Sequence, residues 1–481
     1  MRADQKEPNY GKKETSKSNA LSKNAIGLGG VLMQSIAQIS PTLGIFYTIA
    51  FNTDQAGMSA PLAYLAAFIV CLSLSGPLAG LARHLPSAGG FYTFVSAGIG
   101  PKTGFLTGWM YAIMAAIVPA ALAAFTGDIM EKELAQLGLA IPWWGYAIMI
   151  MLISAVCAYR GLEISIRALI VMCVFEMAVG LGLAVTGLIN PGPGGVNFAG
   201  FNPANVTGVS GFFIAIVLSI FAFTGFEGAA TIGEESRDPK TIIPKAIVGS
   251  LVAIGCFYVF CAWGLQIGWG TENLKALATS EIAPAFVLAD RLWPGASFLV
   301  LLALVNSGLS VCIACTTSST RTLYGMAKTG ALPKFLSAAH STHKTPHAAV
   351  LLQTAVAFAV LLIGGIEFGP TNLFNVLGTA GTFCYIPIFI MTNMAAYLFF
   401  KKKYPSEFST LTHVVMPIVS TVALICIAYF SLNPLPAYPV LLAPFIALAY
   451  FVLGLIILFG RNLKAGNTGW MSKAGLFYAE D

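Results

Sequence analysis

Charged side chains are scarce in this sequence. Only 10% of its 481 residues are Asp, Glu, Lys or Arg, whereas 57% are apolar, and the mean hydropathy is +0.79. An ordinary soluble domain carries about 25% charged residues. The scarcity excludes such a domain and predicts a membrane protein with many spans.

The sequence also lacks the short motifs of metal, nucleotide and hydrolase chemistry. It has no HExxH, no phosphate-binding glycine loop ending in Lys-Ser or Lys-Thr, and no nucleophile elbow. His343 and His347 are four residues apart, but Pro346 intervenes and no Glu or Cys is nearby. We therefore expect no enzyme, no metal and no cofactor. Basic residues are not interleaved with aromatics, so no nucleic-acid partner is expected.

What the sequence has in abundance is long apolar runs. A bilayer core about 30 Å thick needs about 20 apolar residues per helix, and such windows recur along most of the chain. We predict twelve spans: 25–51, 61–81, 103–126, 142–159, 165–189, 209–233, 244–268, 294–320, 346–364, 372–399, 411–431 and 438–460. Residues 1–24 are predicted to be a disordered cytoplasmic tail, 190–208 an extracellular loop and 461–481 a second cytoplasmic tail.

The basic residues predict the orientation of these spans. With both termini cytoplasmic, all but three of the 26 Lys and Arg fall on the inner side, the exceptions being Lys132, Lys275 and Arg291. This asymmetry is what the positive-inside rule requires, and it favours an even number of spans. We expect the plasma membrane, with the inner membrane of a bacterium favoured. A monomer or weak homodimer in the lipid bilayer is expected.

Two predicted spans carry features that a simple apolar helix does not need. Span 1 contains 40–44 (SPTLG), where Pro41 removes a backbone donor and Gly44 eases unwinding. Span 6 contains 221–235 (FAFTGFEGAATIGEE), with three glycines and the carboxylate of Glu227 at membrane depth. Ionisable side chains there are costly and usually functional. Broken helices in corresponding positions indicate an inverted repeat with a binding site at the midplane.

We therefore predict two repeats of five spans each. The first repeat covers 25–189 and the second 209–399, while spans 11 and 12, in 400–460, lie outside the symmetric core. A simple proline kink in span 1 is the alternative to a true break.

Two further polar sites lie inside apolar spans. Glu176 in span 5 has no Lys or Arg within a helical turn, so any partner comes from another helix. The hypothesis is that Glu176 carries a coupled proton, and the alternative is a glutamic acid permanently hydrogen-bonded to a neighbour. Ser307 and Ser310 in span 8 share one face. They either bind a ligand or cation or satisfy carbonyls of their own helix.

Several stretches together resemble the amino acid–polyamine–organocation superfamily of transporters. The most specific is 221–227 (FAFTGFE) followed by 234–239 (EESRDP) and 243–246 (IPKA). The segments 86–92 (PSAGGFY) with Gly108 and Trp109, and 321–333 (RTLYGMAKTGALP), are similar to two further family segments. The resemblance covers roughly residues 25–400.

This resemblance implies an all-α, leucine-transporter-like fold with five-plus-five inverted repeats, alternating access and a midplane site for an amino acid or amine. The sequence departs from the family pattern at two places. Span 1 has SPTLG at 40–44, where many members have a Gly-Ser-Gly type of break. Glu176 stands where many members carry a lysine thought to act in proton coupling, so coupling here differs or is absent.

The expected substrate site uses both breaks. Free N–H groups at Thr42, Leu43 and Gly44 are predicted to bind a substrate carboxylate beside Ser40. Carbonyls that end the inner half-helices are predicted to receive its ammonium group. These carbonyls lie near Ile39 in span 1 and near Phe221, Ala222 and Thr224 in span 6.

Three more residues of span 6 are assigned to the site. Phe223 and Phe226 are candidates for an aromatic gate, with packing as the alternative. Glu227 either anchors the unwound segment or binds a cationic substrate.

We predict a permease for an amino acid, driven by the proton gradient or by Na⁺. The alternatives are an amine or polyamine transporter, an exchanger, a channel and a membrane sensor that does not transport.

Overall fold

The computed structural model describes residues 20–135, 138–206, 208–280, 283–433, 435–463 and 469–475. Of the predicted tails, residues 1–19, 464–468 and 476–481 lie outside this part of the chain. The described residues form an all-α protein. Its α-helices are α1 Leu28–Ile39, α2 Pro41–Ala56, α3 Ala60–His84, α4 Phe91–Gly98, α5 Pro101–Ala135, α6 Trp143–Arg160, α7 Leu162–Ile189, α8 Val209–Phe223, α9 Pro239–Trp269, α10 Leu274–Ala278, α11 Pro284–Leu292, α12 Phe298–Lys328, α13 His347–Phe368, α14 Pro370–Lys403, α15 Met416–Phe430, α16 Ala443–Leu463 and α17 Gly469–Lys473.

Eleven helical stretches of the described chain are long and apolar enough to cross a membrane. The first, Leu28–His84, has 57 residues. As one straight helix it would be about 85 Å long, nearly three times the hydrocarbon thickness. It contains predicted spans 1 and 2, divided by a 3-10 turn at Gly57–Ser59 where Gly57 has a φ of +55°. The protein is therefore multi-pass, as the apolar runs predict.

The outer surface of the helix bundle is apolar. Val171 of α7 and Ile363 and Ile366 of α13 are 71%, 72% and 85% exposed. Side chains of this kind are stable at a surface that faces lipid, where backbone polar groups must be paired within helices. The bundle thus presents the face that a bilayer requires.

Small residues hold the centre of the bundle together. The helix α5 packs along α12, α14 and α6, and α3 packs along α9. Buried Ala115, Ala120 and Ala123 of α5 let these neighbours approach closely. The helices α15 and α16 pack on α14, with α15 also on α3 and α16 also on α5.

Two helices are interrupted near their middle, as the sequence predicts. Between α1 and α2, Ser40 is left-handed with φ of +64° and ψ of +70°, and Pro41 begins α2. The helix α8 ends at Phe223, after which Gly225 has a φ of +121°. The chain then continues as a tighter 3-10 segment, Phe226–Glu235. Proline and glycine at these points are the local cause of both breaks.

Basic side chains collect at one end of the bundle. The helices α3 and α6 end there in Arg83 and Arg160, and α14 ends there in three consecutive lysines. We call this end the basic face. The opposite face carries Lys132 of α5 and Arg291 of α11.

Candidate substrate cavity

A cavity of about 460 Å³ lies where the two interrupted helices meet. Ser40, Gly44 and Thr224 line its inner end, and Phe51 and Phe374 line its other end. Phe51 is close to the C-terminal end of α2 and Phe374 is close to the N-terminal end of α14, so the cavity extends from the breaks toward the opposite face. Its volume lies in the range of about 300–1,000 Å³ that is usual for small-molecule sites.

The two breaks touch each other. A Cβ atom added to Gly225 would lie 2.5 Å from the carbonyl carbon of Gln38. Tyr258 of α9 donates its hydroxyl hydrogen to the carbonyl of Ala222 at 3.2 Å and lies 3.5 Å from that of Ser40. One side chain therefore contacts the carboxyl-terminal ends of both α1 and α8.

Glu176 of α7 binds the N-terminus of α2. Its carboxylate Oε2 accepts from the backbone N–H of Thr42 at 3.2 Å and from the Thr42 hydroxyl at 3.0 Å. Its Oε1 accepts from the Ser310 hydroxyl at 3.4 Å, and the side chain is fully buried. Helix N-termini favour anions because their first N–H groups lack partners within the helix. The protein's own carboxylate fills that position here.

The neighbouring N–H groups are also occupied. Ser307 of α12 accepts from the N–H of Leu43 at 3.3 Å and lies 2.8 Å from the Ser40 hydroxyl. The N–H of Gly44 donates to the carbonyl of Ser40 at 2.8 Å. The prediction that Thr42, Leu43 and Gly44 offer free N–H groups is therefore wrong for this conformation. The partners come from α2 itself, α7 and α12.

Glu227 occupies the second break in the same way. Its Oε2 accepts from the N–H of Gly225 at 2.9 Å, and its Oε1 accepts from the Tyr385 hydroxyl at 2.9 Å and the Gln38 amide at 3.3 Å. Glu227 is fully buried, whereas Tyr385 and Gln38 line the cavity. The carboxylate thus lies directly behind the inner end of the cavity.

The inner end of the cavity has negative character. The carboxyl-terminal ends of α1 and α8 meet there, and these ends carry the negative pole of the helix dipole. None of the described residues that line the cavity is Asp, Glu, Lys or Arg. An ammonium group is attracted to such a place, while a carboxylate finds no cation.

Comparison with known proteins decides the family. The Amino acid permease family model matches residues 30–471 of the chain. The chain belongs to this family. The permease family comprises transporters rather than enzymes, and it implies the leucine-transporter-like fold.

Three relatives illustrate the range of the family. The chain is similar to the low-affinity putrescine importer PlaP of Escherichia coli strain K12, at 25% identity over 369 residues, or 74% of this chain and 76% of that protein. It is 24% identical to the branched-chain amino acid permease BcaP of Bacillus subtilis over 68% of this chain and 72% of that protein. It is 27% identical to the histidine permease HisP of Lactococcus lactis over 67% of this chain and 69% of that protein.

The predicted site residues of the permease fall into two groups. One group lines the cavity: Ile39, Ser40, Leu43, Gly44, Phe221, Ala222 and Thr224. The other lies behind its wall: Thr42, Glu176, Glu227, Ser307 and Ser310, all fully buried. The second group forms the hydrogen-bonded support of the two breaks.

Phe223 and Phe226 do not line this cavity. Phe223 packs on Phe68 and Tyr258, with ring centroids 6.2 and 5.0 Å away, and Phe226 stacks on Phe389 at 5.7 Å. Both rings are buried in protein contacts, so the structure favours the packing alternative. Phe221, two residues before Phe223, is a span 6 phenylalanine that lines the cavity.

Several cavity and hinge residues escape sequence reasoning. Gln38, Tyr258 and Tyr385 are single polar groups among other scattered polar residues of largely apolar helices, a pattern that packing residues also show. Phe374 and Asn375 lie in the second turn of α14 and carry no motif. The available signal was the position of Gln38, two residues before the break at Ser40.

The cavity is closed toward the basic face. Ser318 of α12 donates to the Gln38 side-chain oxygen at 2.7 Å and accepts from the Thr231 hydroxyl at 3.2 Å. Nearer the basic face, Arg321 forms a bidentate ion pair with Glu235 at 2.6 and 3.1 Å, and the two side chains are 1% and 2% exposed. These contacts join α1, the 3-10 segment and α12 below the cavity.

Proposed function

We propose that this permease is a secondary active transporter that works by alternating access in the plasma membrane, with the basic face in the cytoplasm. It crosses the membrane twelve times, because the 57-residue first stretch is long enough for two crossings. Its two repeats comprise spans 1–5 and 6–10. The open outer part of the cavity and the closed contacts beneath it then correspond to an outward-facing state.

The substrate assignment rests on one observation: the backbone N–H groups at both helix breaks already donate to carboxylates of the protein. Glu176 holds the N-terminus of α2, and Glu227 holds the N–H of Gly225. A substrate carboxylate would have to displace a buried carboxylate at either place. An ammonium group instead meets the negative ends of α1 and α8, with Glu227 behind them. This geometry favours an organic amine without a carboxylate over an amino acid.

An amino acid remains the second candidate. Two of the relatives above are named as amino acid permeases, and the contacts of Glu176 with Thr42 and Ser310 are 3.0 to 3.4 Å long. Withdrawal of Glu176 during the transport cycle would free the N–H groups of α2 for a substrate carboxylate.

Glu176 is the proposed carrier of the driving proton. It is a buried carboxylate with hydroxyl and N–H partners from α2 and α12, and it therefore links protonation to the first break. Glu176→Gln keeps the size of the side chain and removes the titration. We expect this variant to bind substrate and to lose uptake driven by a pH gradient. Uptake that still follows the gradient in this variant would remove Glu176 from the coupling mechanism.

The test of substrate class is competition in proteoliposomes. Amino acids are compared with the amines that their decarboxylation gives, as competitors of uptake under an imposed pH gradient. The amine proposal predicts stronger competition by the amine of each pair. Stronger competition by the amino acids supports the second candidate. Saturation and counterflow of labelled substrate identify a carrier, and a channel would show neither.

A further inference from the structure

If the ammonium group of the substrate binds at the inner end of the cavity, the rest of the substrate lies against the outer part of the same cavity. We propose that the preferred substrate is a monoamine with an apolar body, and not a diamine or polyamine. This inference rests on the proposed function as an amine permease, and it selects among amines. The reasons are the distribution of charge along the cavity and the chemistry of its outer wall.

Negative charge is confined to the inner end of the cavity. Glu227 stands behind Gln38 and Tyr385 there, and both helix C-termini point to the same place. A single ammonium group is satisfied by this arrangement. A diamine of four or five carbons would place its second ammonium in the outer half, where no described lining residue is acidic.

The outer half is walled by apolar side chains from four helices. Val118 and Leu122 come from α5, Leu218 from α8, Phe374 from α14 and Ile427 from α15. Burial of a CH₂ group against such a wall contributes about 0.8 kcal/mol, whereas an ammonium placed there finds no counter-charge among the described lining residues. The wall therefore favours a hydrocarbon end over a charged end.

Two acidic groups toward the opposite face have other partners. Asp128 of α5 accepts from Lys132 at 2.7 Å and from the Thr371 hydroxyl at 3.2 Å. Asp54 of α2 accepts from the Gln55 amide at 2.8 Å. Neither lines the cavity. They do not supply a counter-charge for a second ammonium.

The first test uses amines matched in size. Putrescine and n-pentylamine each have six heavy atoms, and cadaverine and n-hexylamine each have seven, so each pair differs in one terminal group. Binding to the purified full-length protein is measured by thermal shift titration. We expect the monoamine of each pair to bind at least about tenfold more tightly, because the diamine leaves an ammonium unpaired.

The same binding measurements distinguish a failure of the monoamine preference from a failure of the amine permease proposal. Equal or tighter binding of the diamines overturns the monoamine inference and leaves an amine permease. Binding of amino acids without binding of any of the four amines overturns the inference and the amine preference together.

The second test introduces the missing charge. Asn375 lines the outer cavity, whereas Asn372, one turn earlier on α14, does not. Asn375→Asp is expected to tighten putrescine binding about two- to fivefold relative to n-pentylamine, the size of a partly exposed ion pair. Asn372→Asp is the matched control and is expected to leave the ratio unchanged. An unchanged ratio in Asn375→Asp, or an equal shift in both variants, contradicts the inference.

Discussion

At the scale of single residues, both the backbone conformation and the close packing at position 225 require glycine. Its φ of +121° disfavours any side chain, and a Cβ atom there would lie 2.5 to 2.6 Å from backbone atoms of Gln38 and Ile39. The second break can therefore form beside the first only with glycine at this position.

Gly225→Ala is expected to lower the stability of the protein by about 1–3 kcal/mol, the usual cost of a strained backbone conformation. Gly29→Ala is the matched control, because Gly29 lies in α1 and an added Cβ meets nothing within 4 Å. The control is expected to be neutral or mildly stabilising. Thermal unfolding of both purified variants measures the difference, and equal unfolding temperatures would contradict this role for Gly225.

Residue identity also explains where sequence reasoning stopped. Pro41 and Gly225 mark both breaks because their backbone preferences are local and readable in the sequence. The occupation of the N–H groups is not local. Glu176 reaches Thr42 across 134 positions, so its contact depends on how α7 packs against α2. The proposed substrate class therefore differs from the amino acid that free N–H groups would have indicated.

At the scale of helices, Tyr258 ties the carboxyl-terminal ends of α1 and α8 to α9. Its hydroxyl contacts the carbonyls of Ala222 and Ser40, which end α8 and α1. The Ala222 carbonyl has no helical N–H partner at the break, so the Tyr258 hydroxyl supplies one, whereas the Ser40 carbonyl also accepts from the N–H of Gly44. The two breaks are therefore expected to move as a unit.

Tyr258→Phe is expected to destabilise the protein by about 1–2 kcal/mol and to reduce the rate of transport, since it removes the shared donor. Tyr146→Phe provides the control, because the buried Tyr146 hydroxyl has no hydrogen-bond partner among the described residues. Thermal unfolding and initial uptake rates are measured for both. Equal effects of the two substitutions would show that the Tyr258 hydroxyl has no linking role.

The Glu235–Arg321 ion pair fastens the 3-10 segment to α12. Removing one partner of a buried pair leaves a buried charge and typically costs about 3–5 kcal/mol. We expect Arg321→Met and Glu235→Gln each to destabilise the protein strongly. The double variant should recover much of the loss, because neither charge is then left alone. Unfolding temperatures of the three variants test this, and additive losses would show that the two side chains do not depend on each other.

At the scale of the whole molecule, the apolar runs were sufficient for the class of fold. Each of the twelve predicted spans contains a helix, since length and apolarity determine what a bilayer accepts. The sequence predicted only the inner end of the cavity. Its inner end follows from the breaks, whereas its outer wall includes Ile427 and Val440. Those residues lie in spans 11 and 12, which the repeat pattern left outside the core.

The cavity extends toward the opposite face and is closed toward the basic face. The molecule is therefore expected to be accessible to reagents from one side of the membrane only. Asn375 lines the outer part of the cavity, whereas Gln34 of α1 is fully buried between α1 and α12 and donates to the carbonyl of Ala314 at 2.9 Å. In an outward-facing state, a reagent from outside the cell reaches the first position and not the second.

Asn375→Cys is therefore expected to react with a membrane-impermeant maleimide added to intact cells, and substrate is expected to slow that reaction. Gln34→Cys serves as the matched variant and should stay unlabelled from outside. The wild-type protein, which has nine cysteines, supplies the background. If Asn375→Cys stays unlabelled in intact cells while Gln34→Cys is labelled in inside-out vesicles, the cavity opens to the cytoplasm. In that case the basic face would be the open side of the resting permease, and the outward-facing assignment would be wrong.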